Sequence, residues 1–363
     1  MRTSAGTLGV ALLALVAGAR DKDVSIASPD RRIALVVTSL DGGLGYSATL
    51  DGQPAVEPSP AGIVVDGSNL AQGATIDGVD RYQIRERYPW RGVHAEAVNR
   101  ANGARITLAG PTPAVKYTLD VRAFDDGVAF RFIVPGTSRR VPDAASSFRF
   151  PAGSLVWSHD LAGHYEGLYK RQRVEDVKDG EWAGPPITVK LPGGRGYAAV
   201  TEAALASYAG MVLQADGRSG FRERLGHAPP ASYPYTLRYG EREAARLSAP
   251  AAIDGTITTP WRVVMIARDL NTLVNSDSVA NLSAPPDKQF FPDGVRTSWV
   301  RPGRAVWRYL DGGDNTLEGI REFSRLAGEL GFEYQVVEGL WQRWTDAELR
   351  EPFQQAALRK EAR

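Results

Sequence analysis

Alternation with a period of two, renewed in segment after segment from Val24 to Arg268, is the feature that most restricts this chain. Successive side chains of a strand point to opposite faces, so such a pattern has one buried and one wetter face. Ile33 to Leu40 is rich in β-branched and apolar residues, Asp41-Gly42-Gly43 marks a turn, and Leu44 to Leu50 alternates into a second strand that Asp51-Gly52 turns again. Tyr117, Leu119 and Val121 alternate with Thr118, Asp120 and Arg122. Asp125-Asp126-Gly127 then turns the chain into Val128 to Val134, whose Val128, Phe130, Phe132 and Val134 share a face. Similar runs follow at Ile187–Leu191, Tyr197–Val200, Gly210–Leu213, Tyr235–Tyr239 and Trp261–Ala267. Many short strands with closely spaced turns predict a large antiparallel sandwich. Gly193-Gly194-Arg195-Gly196 reads as a hairpin turn, not as a phosphate loop.

The pattern changes after Leu270. Asn271 to Ser298 is polar and carries Pro285-Pro286 and Pro292, the composition of a linker with one short helix at its start. Arg304 to Tyr309 is then a short strand, and Thr316 to Leu330 places Leu317, Ile320, Phe323, Ala327 and Leu330 on one helical face. Asn315 is the expected N-cap and Gly331 the C′ glycine. Phe332 to Val337 is a further strand, which completes a βαβ unit. Thr345 to Arg363 has the pattern of a second helix. These readings divide the chain into a β-sandwich over 24–285, a linker over 286–298 and the start of a (β/α)₈ barrel over 299–363. A whole barrel takes roughly 250 residues, so the barrel portion is expected to be truncated.

Arg2, the apolar run Leu8 to Val16 and Ala17-Gly18-Ala19 have the layout of a signal peptide over residues 1–19, which places the mature protein in the periplasm or outside the cell. That apolar run is half of the roughly 20 residues needed to span a bilayer. The chain has no cysteine, which rules out disulfides and thiolate metal sites. Its stability must come from core burial, for which eight Trp, thirteen Tyr and eleven Phe are available. A formal net charge of +1 implies no broad basic surface for nucleic acid or acidic lipid.

Two places carry unusual chemistry. Trp157 to Tyr169 gathers His159, Asp160, His164, Tyr165 and Glu166 between strands. It reads either as a metal or sugar site or as a solvated polar loop, and its chemistry alone favours the loop. Glu166 would be a hard oxygen ligand suited to Ca²⁺. In the second place, Trp307 lies near the end of the first barrel strand and Glu338 directly follows the second. Barrel active sites collect at the C-terminal ends of strands, although a solvent-facing acid explains Glu338 equally well.

Six segments together resemble glycoside hydrolase family 97, the exported α-glucosidases and α-galactosidases of bacteria. They are Ser28-Pro29-Asp30, Phe124 to Phe132, Thr201 to Leu205 with Tyr208, Thr259-Pro260-Trp261-Arg262, Arg301 to Trp307, and Gly331 to Tyr334 with Val336 to Gly339. The resemblance implies an N-terminal β-super-sandwich, a catalytic (β/α)₈ barrel and a small C-terminal β-domain. It implies a Ca²⁺ ion held by several glutamates, one of them nine residues after a strand Trp, which is Glu166 counted from Trp157. It assigns Trp307 and Glu338 to the sugar, and it places the catalytic acid and base on later barrel strands. The implied function is an exo-acting, calcium-dependent α-glucosidase or α-galactosidase with an oligosaccharide substrate, monomeric at full length and present here as an N-terminal fragment without its acid and base. The competing readings are a non-catalytic carbohydrate-binding module and a sandwich that only supports the barrel. The unpaired strands of a truncated barrel predict poor solubility.

Overall fold

Three Asp-Gly pairs set the geometry of the first strands. Asp41-Gly42, Asp51-Gly52 and Asp66-Gly67 all have positive φ at both residues, the requirement of the two-residue type I′ hairpin. They join Leu40 to Gly43, Leu50 to Gln53 and Val65 to Ser68 as paired residues. The computed structural model describes residues 23–111, 115–161, 167–231, 240–314, 316–339, 344–348 and 350. The expected signal segment, the Tyr235–Tyr239 strand, and Glu166 with His164 and Tyr165 lie outside the described residues, as does most of the expected last helix. The chain divides into two compact units, residues 1–285 and 286–363.

The first unit is built on two large antiparallel sheets, with a three-stranded sheet of Pro142–Ala144, Ile63–Val65 and Ser68–Asn69 and a two-stranded pair of Arg139–Arg140 and Ile253–Asp254 beside them. The eight-stranded sheet runs Val24–Ala27, Ile33–Leu40, Gly43–Leu50, Gln53–Pro60, Ser147–Arg149, Gly220–Leu225, Met211–Ala215 and Trp182–Ala183. The ten-stranded sheet runs Lys170–Arg173, Leu155–Ser158, Ile187–Lys190, Tyr197–Ala203, Trp261–Ala267, Gly127–Val134, Lys116–Phe124, Glu96–Ala109 and Thr75–Pro89, with Ile257–Thr258 also beside Gly127–Val134. Trp261–Ala267 is the strand that joins the two halves of this sheet. One buried core takes the inward residues of both sheets, including Ile33, Leu35, Phe130, Phe148, Val200, Phe221 and Ile266. The expected sandwich and its hairpins are present, among them Phe124–Gly127 and the Lys190–Tyr197 hairpin around Gly193-Gly194.

The outer face of the ten-stranded sheet shows why one glycine is needed. A Cβ on Gly103 would lie 2.4 Å from the Tyr82 ring. Without it the phenol crosses the neighbouring strand and donates to Asp120 at 2.6 Å, and burial pushes the Tyr82 hydroxyl up to about 12. Asp120 also pairs with Arg131 at 3.3 Å. Arg122 and Arg131 then stack on Trp261, with guanidinium carbons 4.6 and 4.4 Å from its ring.

Helices appear where the pattern predicted none or fewer. Gly240–Leu247 is helical within the expected all-β run. The linker reading gave one short helix where two occur, Leu270–Val274 and Ser278–Leu282. The second is not linker-like: Asn281 donates to Val98 O at 2.9 Å and accepts from Tyr88 Oη at 2.8 Å. Asp277 accepts from Val98 N at 2.9 Å and lies 2.7 Å from His94 Nε2.

The second unit contains strand Ala305–Trp307, helices Arg308–Asp311 and Leu317–Glu329, and strand Tyr334–Val336. The two strands pair in parallel, Val306 with Gln335. The first strand stops at Trp307, short of the expected Tyr309, because the chain turns there into a four-residue helix. The long helix is capped by Thr316, whose hydroxyl accepts from Gly319 N at 3.0 Å. This replaces the expected Asn315 cap. Gly331, at φ +70, stands at the C′ position.

Candidate functional site

Trp307 and Glu338, separate candidates in the sequence, meet at the C-terminal ends of the parallel strands. Parallel pairing of Trp307 with Val336 brings the two strand exits side by side. Trp307 Nε1 donates to Glu338 Oε2 at 3.0 Å, a charge-assisted bond that fixes both groups. The next residue, Arg308, is buried and donates from Nη2 to the Glu338 carbonyl at 3.4 Å. Consecutive residues therefore contact the side chain and the backbone of Glu338. Tyr309 stacks on Trp307 with ring centres 5.5 Å apart and planes inclined by 28°.

The pair is held in register from below. Arg304 N donates to Glu333 Oε2 at 2.6 Å, and its guanidinium reaches Glu333 Oε1 at 3.1 Å. These bonds hold the Glu333 carboxyl down, at about 2. Gln335 ties the second strand to the helix by donating to Ile320 O at 3.0 Å. Beside the strands is a cavity of about 680 Å³ lined by Ala305, Trp307, Leu310, Phe323, Leu330 and Phe332 among others.

In the Trp157–Tyr169 segment Trp157 is on the strand Leu155–Ser158, and Arg171 sits over its ring at 5.7 Å. His159 is buried, which overturns the solvated-loop reading for that residue. Leu161 N lies 3.0 Å from its Nδ1, and Gly167 N lies 2.9 Å from its Nε2. A neutral imidazole has one acceptor nitrogen, so the ring serves one of these amides at a time. Its centre is 5.7 Å from that of Tyr169, and Asp160 pairs with Lys170 at 3.3 Å. Glu166 itself lies outside the described residues. Among the described residues no three His, Asp or Glu side chains form a group that could hold a metal ion. The six to eight oxygen ligands of Ca²⁺ are thus not assembled by the described residues alone.

The remaining motif segments contact one another in pairs. Asp30 N donates to Asp125 Oδ1 at 2.8 Å, joining the Ser28-Pro29-Asp30 turn to the Phe124–Phe132 hairpin. Arg262 donates to Glu202 Oε2 at 2.9 Å and to Glu223 Oε1 at 2.5 Å. Arg262 and Glu223 of this ionic triad are buried and Glu202 is partly so, and desolvation pushes the Glu223 carboxyl up despite the neighbouring guanidinium. Arg304 and Glu333 join the last two segments. These residues build the scaffold; sequence reasoning found the segments without seeing the pairs, because the partners are far apart along the chain.

The glycosyl-hydrolase 97 N-terminal family model matches residues 26–285. A probable retaining α-galactosidase of Streptomyces bingchenggensis is 28% identical over 355 residues, covering 94% of this chain and 51% of the relative. A retaining α-galactosidase of Bacteroides thetaiotaomicron is 23% identical, covering 93% and 53%. The chain therefore spans about half the length of the curated relatives it matches. Among solved structures, a glycoside hydrolase family 97 enzyme from Pseudoalteromonas sp. strain K8 in complex with panose superposes with a TM-score of 0.72 at 23% identity, covering 87% of this chain and 47% of that one. A β-arabinopyranosidase superposes at 0.73 with 20% identity, covering 93% and 54%. At these identities the structural likeness establishes the fold.

Proposed function

Since the chain belongs to the glycosyl-hydrolase 97 N-terminal family, we propose that it forms the super-sandwich and the opening barrel unit of an exo-acting glycoside hydrolase that cleaves α-galactosides or α-glucosides. The observation that carries this reading is the 3.0 Å bond between Trp307 and Glu338 at the C-terminal ends of parallel strands. Barrel enzymes place their substrate there. The indole N–H holds one carboxylate oxygen, and the carboxylate retains acceptor capacity for a sugar hydroxyl. Trp307 and Glu338 are thus assigned to substrate binding. Cleavage with either stereochemical outcome needs two carboxylates, and neither is assigned to this chain. The two relatives described above are named a probable retaining α-galactosidase and a retaining α-galactosidase, so galactosides are the first substrates to test.

Residues 24–285, 286–298 and 299–363 are assigned to the sandwich, the linker and the start of the barrel. Glu166 is proposed as one oxygen donor to a Ca²⁺ ion completed by further carboxylates; the ion would supply electrostatic stabilisation. Export to the periplasm or the medium is proposed from the signal-like residues 1–19, and a mature protein beginning at Arg20 would support it. Among the described residues no helix is long and apolar enough to cross a membrane.

The test is hydrolysis of aryl α-galactosides and aryl α-glucosides by the full-length protein, with and without a chelator. Cleavage of either sugar is expected; cleavage of neither would leave a non-catalytic sandwich as the better reading. Unchanged rates with chelator and after Glu166→Ala would remove the calcium part alone.

A further inference from the structure

We propose that Tyr309 is a sugar-stacking residue that binds the leaving-group ring of an α-linked disaccharide. This inference rests on the glycosidase reading and extends it to a residue outside the Trp307–Glu338 pair. The strand ends at Trp307, which keeps extended backbone angles (φ −138, ψ 101) as the N-cap of the helix Arg308–Asp311. That extended cap brings Tyr309 back over the indole, and the rings stack at 28°. Tyr309 nonetheless remains 69% exposed.

The indole beneath it is fixed at its other end, because its N–H is bonded to Glu338. Carboxylate, indole and phenol therefore form one ordered array beyond the strand ends. The carboxylate end accepts hydroxyl groups, and an aromatic face takes the C–H face of a pyranose by dispersion and its ring quadrupole. Glu338 and Trp307 then hold the sugar to be cleaved. Tyr309, one ring further from Glu338, meets the sugar that leaves. An isolated exposed tyrosine would need no explanation. A tyrosine held in a stack on a substrate-assigned tryptophan points to a ligand.

The test uses two substrates of the full-length enzyme that share a glycon and differ in the leaving group: melibiose, whose leaving group is a sugar ring, and α-galactosyl fluoride, whose leaving group has no ring. For Tyr309→Ala, kcat/KM on melibiose is expected to fall about tenfold, the scale of one aromatic contact, while the value for the fluoride stays within about twofold. Tyr309→Phe should keep both values, because the ring face and not the hydroxyl makes the contact. The ratio of the two values does not depend on the fraction of protein that is folded, so a destabilised variant still reports. A wild-type enzyme active on both substrates whose ratio is unmoved by Tyr309→Ala would overturn the role of Tyr309. A wild-type enzyme inactive on α-galactosides and on the maltose and α-glucosyl fluoride pair would overturn the glycosidase reading instead.

Discussion

The two units treat the faces of their strands in opposite ways. In residues 1–285 each sheet supplies the cover for the other, so Ile33, Leu35 and Val200 have no accessible surface at all. In residues 286–363 the helix covers one side of the parallel pair, the side of Val306 and Gln335, while Tyr334 and Val336 on the other side remain 43% and 40% exposed. A sheet face becomes a core only when a second layer meets it. The first unit contains both layers of its core, and among the described residues the second contains one.

The largest test of this contrast compares two tryptophans. Trp261→Ala removes a buried ring that carries two guanidinium stacks and should cost about 5 kcal/mol in urea melts that report the first unit. Trp299, 61% exposed in the second unit and held there by a 2.9 Å bond to Phe290 O and by contact with the Phe291 ring, should lose only about 1 kcal/mol on the same change. Similar losses at both sites would break the comparison.

Next is the ionic triad. Arg262→Ala strands Glu202 and Glu223 and should cost about 4 kcal/mol. Replacing all three by Met, Leu and Leu should recover most of the loss, since well-packed apolar residues often match a buried ion network. Thermal melts of both variants decide this, and a triple variant no better than Arg262→Ala would show that the triad stabilises the fold through its charges.

His159→Phe should destabilise the sandwich by about 1 kcal/mol, the cost of leaving the part-buried Leu161 or Gly167 amide without its acceptor. Chemical denaturation measures that loss, and His159→Gln, which keeps an acceptor, should lose less.

The smallest effects are those of pH, and the units should differ in sign. Glu223 has its folded pKa raised above the ordinary 4.5 by burial. Its contribution is therefore present below about 4.5 and is lost as pH rises through the folded value. Glu333 is lowered to about 2 by Arg304, so its contribution is present above about 4.5 and is lost as pH falls through about 2. Melting temperatures taken from pH 7 to pH 2 should show Glu223→Gln flattening the profile at its upper end and Glu333→Gln at its acid end. The reverse assignment would contradict both environments.

The strands and turns were legible in the sequence because their signal is local. Period two survives in eight residues, and Asp-Gly names its own turn. The short helix Ser278–Leu282 was not, since five residues are too few to show a helical period and its anchors on Tyr88 and Val98 are distant in sequence. The cap moved from Asn315 to Thr316 because adjacent residues with equivalent capping chemistry are separated only by backbone angles. At the site, the positions of Trp307 and Glu338 after their strands were readable, whereas the bond between them depends on parallel register. Tyr309 was missed although Trp307-Arg308-Tyr309 shows two aromatics one residue apart; that spacing was read as strand continuation, and the helix that follows Trp307 was not foreseen.

The strand Trp261–Ala267 has a bearing on how the molecule is made. A ribosome releases Lys116–Phe124 and Gly127–Val134 early and Ile187–Lys190 and Tyr197–Ala203 later, but the strand that sits between Gly127–Val134 and Tyr197–Ala203 emerges after both. Until then two half-sheets wait with open, hydrogen-bond-hungry borders, the state in which nascent chains most need chaperones. Arrest of translation just before Trp261 should therefore leave a protease-sensitive nascent chain, and arrest some forty residues beyond Arg268, once the tunnel has been cleared, a resistant one.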